Sequence, residues 1–293
     1  MTVTVIANPV AGLFSRRRLR AACATWEQAG FAVRVRESRY RGHCEELARD
    51  AAQDSDIVVA AGGDGTTGEV INALAYTGVP MGILPFGTVN VLPLELGIPQ
   101  RLAGAAATIR DGRTTTIHLG RAGNRYFSLM AGIGFDAEVV HGVDDRRKAR
   151  WGKYAYLLSM GRVLRHFSPA ALSIQAESQT LTAGNVVVCN SRLYGGPFVM
   201  APDAGVTRAG LYVMTFQGRR RLDMLRYGIA LLLRRQLRLS DVTCRKVDRV
   251  TICSTARQEA KVQLDGDPDG VTPLQIELAE DALAVIVPEK RGC

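Results

Sequence analysis

The sequence predicts an α/β N-terminal domain, a parallel sheet with flanking helices, followed by a mainly antiparallel β-sandwich. Three observations predict it. The first third of the chain alternates short β-branched runs with helix-like segments, Asp111-Gly112 breaks that alternation, and from Thr114 onward apolar residues recur mostly at every second position between hairpin-length turns. The boundary therefore falls near Gly112, giving domains of residues 1–112 and 113–293.

In order, Val3 to Asn8 reads as a strand, Arg16 to Ala29 as a helix, Phe31 to Arg36 as a strand and Cys44 to Ala52 as a helix. Ile57 to Ala61 is the third strand, Thr66 to Tyr76 its helix, Met81 to Leu84 the fourth strand, and Arg101 to Arg110 a helix before the break. This βαβαβαβ order argues for a parallel sheet, whose ligands bind at the carboxyl ends of the strands. The second domain reads as strands at Thr114–Leu119, Tyr126–Met130, Leu172–Ala176, Asn185–Cys189, Leu211–Phe216, Val247–Cys253, Lys261–Leu264, Leu274–Leu278 and Leu283–Val287. Helical stretches near Trp151–Phe167 and Arg219–Leu239 interrupt them.

Composition narrows the function classes. A chain of 293 residues, 47% hydrophobic, is enough for two ordinary cores. Apolar runs such as Tyr227–Leu233 stop short of the roughly 20 residues that span a bilayer, and Met1 leads directly into a strand pattern. The expectation is a cytoplasmic protein, soluble or peripheral at the inner face of the membrane. Six cysteines without a C-x-x-C pair and four histidines without ligand spacing argue against structural zinc. The net charge of +9 makes an anionic partner natural: nucleic acid, phospholipid headgroups or a nucleotide.

Between strand three and its helix lies Gly62-Gly63-Asp64-Gly65-Thr66-Thr67-Gly68, which contains G-x-G-x-x-G. Glycines let backbone approach a phosphate, and the helix that follows offers free N–H groups; Thr66 with Glu69 has the spacing of a capping box. A plain capped strand-to-helix turn is the bland alternative. The dinucleotide version needs an acidic residue about 20 positions on, yet none occurs between Glu69 and Glu95, and no Gly-Lys-Ser/Thr makes it a P-loop. Asp64 inside the loop suits holding Mg²⁺ beside bound phosphates, and so phosphoryl rather than hydride transfer. Asn8-Pro-Val-Ala-Gly12 follows strand one and Pro85-Phe-Gly-Thr88-Val-Asn90 follows strand four, so three loops share one sheet edge.

Two further segments stand out. Asp265, Asp267 and Asp269 alternate between two strands; a calcium loop would need Glu where Ile276 stands and helices on either side, which leaves an Asp-Gly hairpin turn or a functional acid. Arg219–Arg238 holds seven arginines and one aspartate, with Leu222, Leu225, Ile229, Leu232 and Leu233 at near-helical spacing. Such a segment either lies on an anionic bilayer or packs its apolar stripe on the sandwich. No recognised nucleic-acid module accompanies it, so no nucleic-acid partner is expected. Trp151-Gly-Lys-Tyr-Ala-Tyr-Leu-Leu reads as core packing or acyl-chain lining.

Taken in order, Asn8-Pro-Val-Ala-Gly12, Gly62-Gly-Asp-Gly-Thr66 with Glu69-Val-Ile-Asn72, Leu84-Pro-Phe-Gly-Thr88-Val-Asn90, Gly132-Ile-Gly-Phe-Asp136, Tyr194-Gly-Gly, Ala201-Pro-Asp-Ala204 and Leu264-Asp-Gly-Asp267 resemble the diacylglycerol/sphingosine lipid kinase family, its bacterial members in particular. The resemblance implies ATP and Mg²⁺ as cofactors, a lipid hydroxyl as acceptor, and an active-site cleft between an ATP-binding domain and a lipid-substrate domain. It implies that Gly62, Gly63, Asp64, Gly65 and Thr66 wrap the ATP phosphates, with Asn8, Gly12, Ser38, Glu69, Thr88 and Asn90 completing the nucleotide site. Asp267 takes the place of the general base, Asp265 sits beside it, and Asp64 organises catalytic Mg²⁺. Two positions depart: Val91 stands where relatives carry Asp, and Ala209 replaces the Asp of a structural Mg²⁺ site. A catalytically weak nucleotide- or lipid-binding protein, or an NAD kinase-like or dinucleotide-binding enzyme, are the other readings.

Overall fold

The computed structural model describes residues 1–143, 153–166, 171–177, 179–255 and 259–289. The elements run β1 (Thr2–Ala7), α1 (Arg16–Glu27), β2 (Ala32–Glu37), α2 (His43–Ala51), β3 (Ile57–Gly62), α3 (Asp64–Leu74), β4 (Met81–Pro85), α4 (Val91–Glu95), α5 (Leu102–Asp111) and β5 (Arg113–Ala122). They continue with β6 (Arg125–Phe127), β7 (Met130–Ile133), α6 (Phe135–His141), α7 (Lys153–His166), β8 (Leu172–Ala176), β9 (Gln179–Ala183), β10 (Asn185–Cys189), β11 (Leu193–Tyr194), β12 (Phe198–Val199) and β13 (Leu211–Phe216). The last are α8 (Arg221–Leu232), β14 (Val242–Val247), β15 (Arg249–Ser254), β16 (Lys261–Leu264), β17 (Asp267–Val271) and β18 (Leu274–Val287). Two compact units result, one of Met1–Leu119 with Glu280–Cys293 and one of Gly120–Ala279.

The first unit is an α/β layer structure. Its sheet has the order β2-β1-β3-β4-β18, parallel throughout, with Val285 of β18 opposite Met81 of β4. Every residue of β3 and β4 is buried, as helices on both sheet faces require, whereas the edge strand β2 exposes Arg34 and Val35. Winding reverses after β2, so right-handed crossovers send α1 to one face and α2 and α3 to the other. Accordingly α1 packs with α5 and α2 with α3; the buried Trp26 indole N–H donates to the Ala106 carbonyl at 2.9 Å and ties the first pair.

The second unit is an antiparallel β-sandwich. One sheet has the order β14-β13-β10-β7-β16-β17; in the other, the first half of β18 pairs with β15, and β15 with β8, which hairpins into β9. Inward residues of both sheets, among them Ile133, Ile174, Val186, Val188, Val213, Val250, Ile252 and Val262, form one buried apolar core.

Several elements differ from the sequence reading. Gly112 ends α5 and the chain passes straight into β5, so the first compact unit runs on to Leu119; it also recovers the last half of β18, which the sequence reading placed in the sandwich as a separate strand. The strand expected over Tyr126–Met130 is broken into β6 and β7, because the backbone N–H groups of Ser128, Leu129 and Met130 donate to Asp265 instead of to a neighbouring strand. Val247–Cys253 is the junction of β14 and β15. The short helices α4 and α6, and strands β9, β11, β12 and β17, were not expected. The basic helix stops at Leu232; Arg234 is left-handed (φ 55°) and a short 3-10 turn, Gln236–Arg238, follows. Trp151, Gly152 and Phe167 lie outside the described residues, and the packing role read for Trp151–Leu158 is not described. Among the described residues no helix is long and apolar enough to cross a membrane.

Candidate active site

In the first unit β1 lies between β2 and β3, so the chain leaves β1 in one direction and returns on its other side. Open α/β sheets bind ligands at the carboxyl ends of such a pair. The three loops of interest meet there. The Asn8 amide N–H donates to the Thr66 hydroxyl at 3.0 Å, the backbone N–H of Leu13 donates to the Phe86 carbonyl at 2.9 Å, and that of Phe86 donates to the Gly62 carbonyl at 2.8 Å. Gly12 and Thr88 are neighbours: a Cβ on Gly12 would stand 3.3 Å from the Thr88 methyl. Ser38 extends β2 by donating its N–H to Ala7, and its hydroxyl hydrogen-bonds the Cys44 thiol, which burial pushes up to about 11.

Two expectations for the glycine loop are corrected. Helix α3 begins at Asp64 with Gly63 as its N-cap, so Thr66 sits inside the first turn and no capping box forms with Glu69. The Glu69 carboxylate reaches instead to the next helix, accepting from the backbone N–H groups of Gly42 at 2.9 Å and Cys44 at 3.0 Å. It thereby caps α2, whose own N-cap, Gly42, has no side chain to do so. The first turn of α3 likewise has no side-chain cap, so its N–H groups are not closed off by the residue that begins it.

Asp64 Oδ1 accepts from the Val91 backbone N–H at 2.7 Å, so one carboxylate oxygen caps α4. Asn90, left-handed and buried, staples the fourth-strand loop: Gly87 N–H donates to its Oδ1 at 2.9 Å and its Nδ2 donates back to the Gly87 carbonyl at 2.8 Å. These bonds bring Gly63 and Gly87 together so closely that a Cβ on Gly87 would lie 2.6 Å from the Gly63 Cα. Gly87→Ala is therefore expected to destabilise the fold by about 1–3 kcal/mol. Gly68→Ala, whose Cβ would meet nothing within 4 Å on α3, is expected to stabilise it by up to about 1 kcal/mol. Equilibrium denaturant unfolding of the two variants reads both signs; equal effects would refute the tight loop crossing.

The second unit holds the acidic turn. Asp265, left-handed at φ 51°, accepts four hydrogen bonds: Ser128 N–H (2.7 Å) and hydroxyl (3.0 Å) on one oxygen, Leu129 N–H (2.8 Å) and Met130 N–H (2.9 Å) on the other. Desolvation raises its carboxyl pKa and those four donors oppose the rise. The next two residues follow from that anchor. Gly266 N–H donates to the Gln263 side-chain oxygen at 2.7 Å, and Asp267, half-exposed, opens β17 opposite Leu264.

A relay supports the turn from behind. Gln263, fully buried, donates its amide N–H to Asp136 at 2.5 Å, and the Tyr194 hydroxyl donates to the other Asp136 oxygen. Burial drives the Asp136 carboxyl upward, and the two donors pull it back. Gly132 makes room for that carboxylate, since a Cβ there would collide with it. Gln263 was missed from sequence because an amide inside a strand carries no motif; Asp136 and Tyr194 were visible only as parts of a pattern, without a role.

An α/β unit with interlocked glycine loops at a parallel-sheet switch point, followed in the chain by an antiparallel sandwich bearing an acidic turn, defines a class of two-unit proteins. The chain belongs, within that class, to the diacylglycerol kinase family: residues 2–122 match the diacylglycerol kinase catalytic domain, and residues 130–287 match the YegS C-terminal NAD kinase beta sandwich-like domain. It is similar to a Bacillus subtilis (strain 168) protein named diacylglycerol kinase, 26% identical over 98% of this chain and 97% of the relative. A Mycobacterium tuberculosis diacylglycerol kinase is 29% identical over 83% of this chain and 80% of its own length. Among solved structures, that of a diacylglycerol kinase from Bacillus anthracis str. Sterne superposes with a TM-score of 0.78 at 25% identity, covering 98% and 96% of the two chains.

Proposed function

We propose that the chain is an ATP-dependent lipid kinase that transfers the γ-phosphate to a hydroxyl of a diacylglycerol-like acceptor. The observation that carries this reading is the Gly62–Thr66 loop, opening α3 at the β1/β3 switch point and crossing Gly87 at backbone distance. A glycine loop held this tightly, where side chains at Gly62 or Gly87 would collide with Thr66, Asn90 or Gly63, and ending in a helix N-terminus without a side-chain cap, fits the phosphates of a nucleotide. Asn8 and Thr66 hold the β1 loop against it, Gly12 and Thr88 stand side by side where the first and fourth strand loops meet, and Ser38 follows the end of β2. Glu69 and Asn90 act through the backbone, by capping α2 and stapling Gly87.

The donor set near the cradle also fits Mg²⁺ held mainly by nucleotide phosphates. Asp64 has one oxygen committed to Val91, and among the described residues no group of three His, Cys, Asp or Glu side chains is placed to bind a metal by itself. Bound there, Mg²⁺ would neutralise charge on the transferring phosphoryl group. Asp267 is assigned as the base that takes the acceptor hydroxyl proton, since an alcohol ionises too little at neutral pH to attack unaided. Asp265 is assigned a positioning task, holding the turn that presents Asp267.

Purified chain, radiolabelled ATP and a panel of diacylglycerol, sphingoid base, ceramide, phosphatidylglycerol and NAD test the reading. The expected result is label transfer to diacylglycerol above all others. Val91, in the place of an acidic residue, favours a second reading, a catalytically weak nucleotide- or lipid-binding protein. ATP bound without transfer to any acceptor would select it, and transfer to NAD alone would select an NAD kinase.

A further inference from the structure

We propose that α8 and its flanks form a docking face for an anionic lipid bilayer. The helix has two apolar faces where a core helix needs one. Met224, Tyr227 and Ala230 are buried and seat it on the second unit, whereas Leu222 is 76% exposed, Leu225 52%, Ile229 49%, Leu232 62% and Leu233 60%. At about 3.6 residues per turn the exposed five form one stripe on the side opposite the buried three, and Arg221 and Arg226, both exposed, border it. A packed amphipathic helix would have put these leucines inward; here they face solvent while a different set is buried.

Charge selects the occupant. From Arg219 to Arg238 there are seven arginines, all exposed, and the one acidic residue, Asp223, caps the helix by accepting from Arg220 N–H at 2.9 Å. Arg226 is ion-paired with Asp223 and Asp241. Beyond the helix, Gln236 donates to the Val199 and Met200 carbonyls at 2.7 and 2.9 Å, which fixes the Arg234–Arg238 segment beside the exposed Phe198. A second copy of the chain docked through the same face by two-fold symmetry would set arginine against arginine. An anionic bilayer accepts leucines at the headgroup boundary and arginines among the phosphates. The proposal adds a partner surface to the lipid kinase reading without depending on it, because binding is read without turnover.

The test is sedimentation of the full chain with vesicles of phosphatidylglycerol and phosphatidylcholine in equal parts, against phosphatidylcholine alone, at low and high salt. The wild-type chain is expected to follow the mixed vesicles and leave phosphatidylcholine in solution, and to release as salt rises. Leu225→Glu with Ile229→Glu should cut the partition coefficient at least about tenfold, and Arg234→Glu with Arg235→Glu by more than about tenfold, at roughly fivefold per arginine. Both changes lie on exposed positions, and thermal melting confirms that each variant is folded. Indifference of the wild-type chain to the anionic lipid, or wild-type affinity in both variants, overturns the proposal. So does vesicle binding that survives while the Leu225/Ile229 variant changes from dimer to monomer in light scattering, which would assign the stripe to a second copy.

Discussion

Asp267→Asn is expected to lower phosphoryl transfer by about 10²–10⁴-fold while nucleotide still binds. The amide keeps the shape of the side chain and its place at the head of β17, opposite Leu264, but cannot accept the acceptor's proton at neutral pH. Because Asp265 and, through Gly266, Gln263 hold the turn, the substitution is expected to leave the backbone in place. Single-turnover transfer from ATP, with a parallel titration of ATP binding by calorimetry, separates the two effects. Near-normal transfer would remove Asp267 from the chemistry; loss of both binding and transfer would make it structural.

Asp265→Ala is the second large expected effect, this one on stability. Removing the carboxylate strands the N–H groups of Ser128, Leu129 and Met130 and the Ser128 hydroxyl, all four of which donate to it. Each unsatisfied donor costs about 1–3 kcal/mol, and with partial relaxation and water entry a total of roughly 3–5 kcal/mol follows. Asp265→Asn is expected to recover only part of this, since its NH₂ meets donors where the second carboxylate oxygen stood. Urea unfolding orders the three proteins as wild type, Asn, Ala; an Ala variant within about 1 kcal/mol of wild type would contradict the anchor. In the folded Asn variant, transfer should also fall, because the same bonds set the turn that presents Asp267.

Much of the first unit was legible because its signals are local. The largely apolar run at Val3–Ala7, broken only by Thr4, the continuous one at Ile57–Ala61, the arginine alternation of β2 and the glycines at strand ends follow from which groups must be buried and which backbone must turn. Five of the longer sandwich strands, β8, β10, β13, β15 and β16, followed from their apolar, β-branched runs between turns. What failed was local patterning that tertiary bonds override. Thr66 and Glu69 have capping-box spacing, yet the carboxylate goes to α2, because the α2 N-terminus lacks a side-chain cap and α2 packs on α3. Tyr126–Met130 has strand character, yet Asp265, 135 to 137 residues away in sequence, breaks it.

The sequence by itself carried the fold class, the resemblance to the family and the three loop segments, since each rests on residue types and spacings within a few turns of chain. The tertiary structure alone decided what the side chains bond to. It made Asp265 an anchor with four donors, committed one oxygen of Asp64 to Val91, brought Gly63 against Gly87, and joined Tyr194, Asp136 and Gln263 into a support for the Asp267 turn. It also decided which apolar stripe of α8 is buried, a choice that helical periodicity leaves open because it marks faces without saying what covers them. Those outcomes depend on groups brought together from distant parts of the chain, where the cost of an unpaired buried donor, not the local pattern, selects the partner.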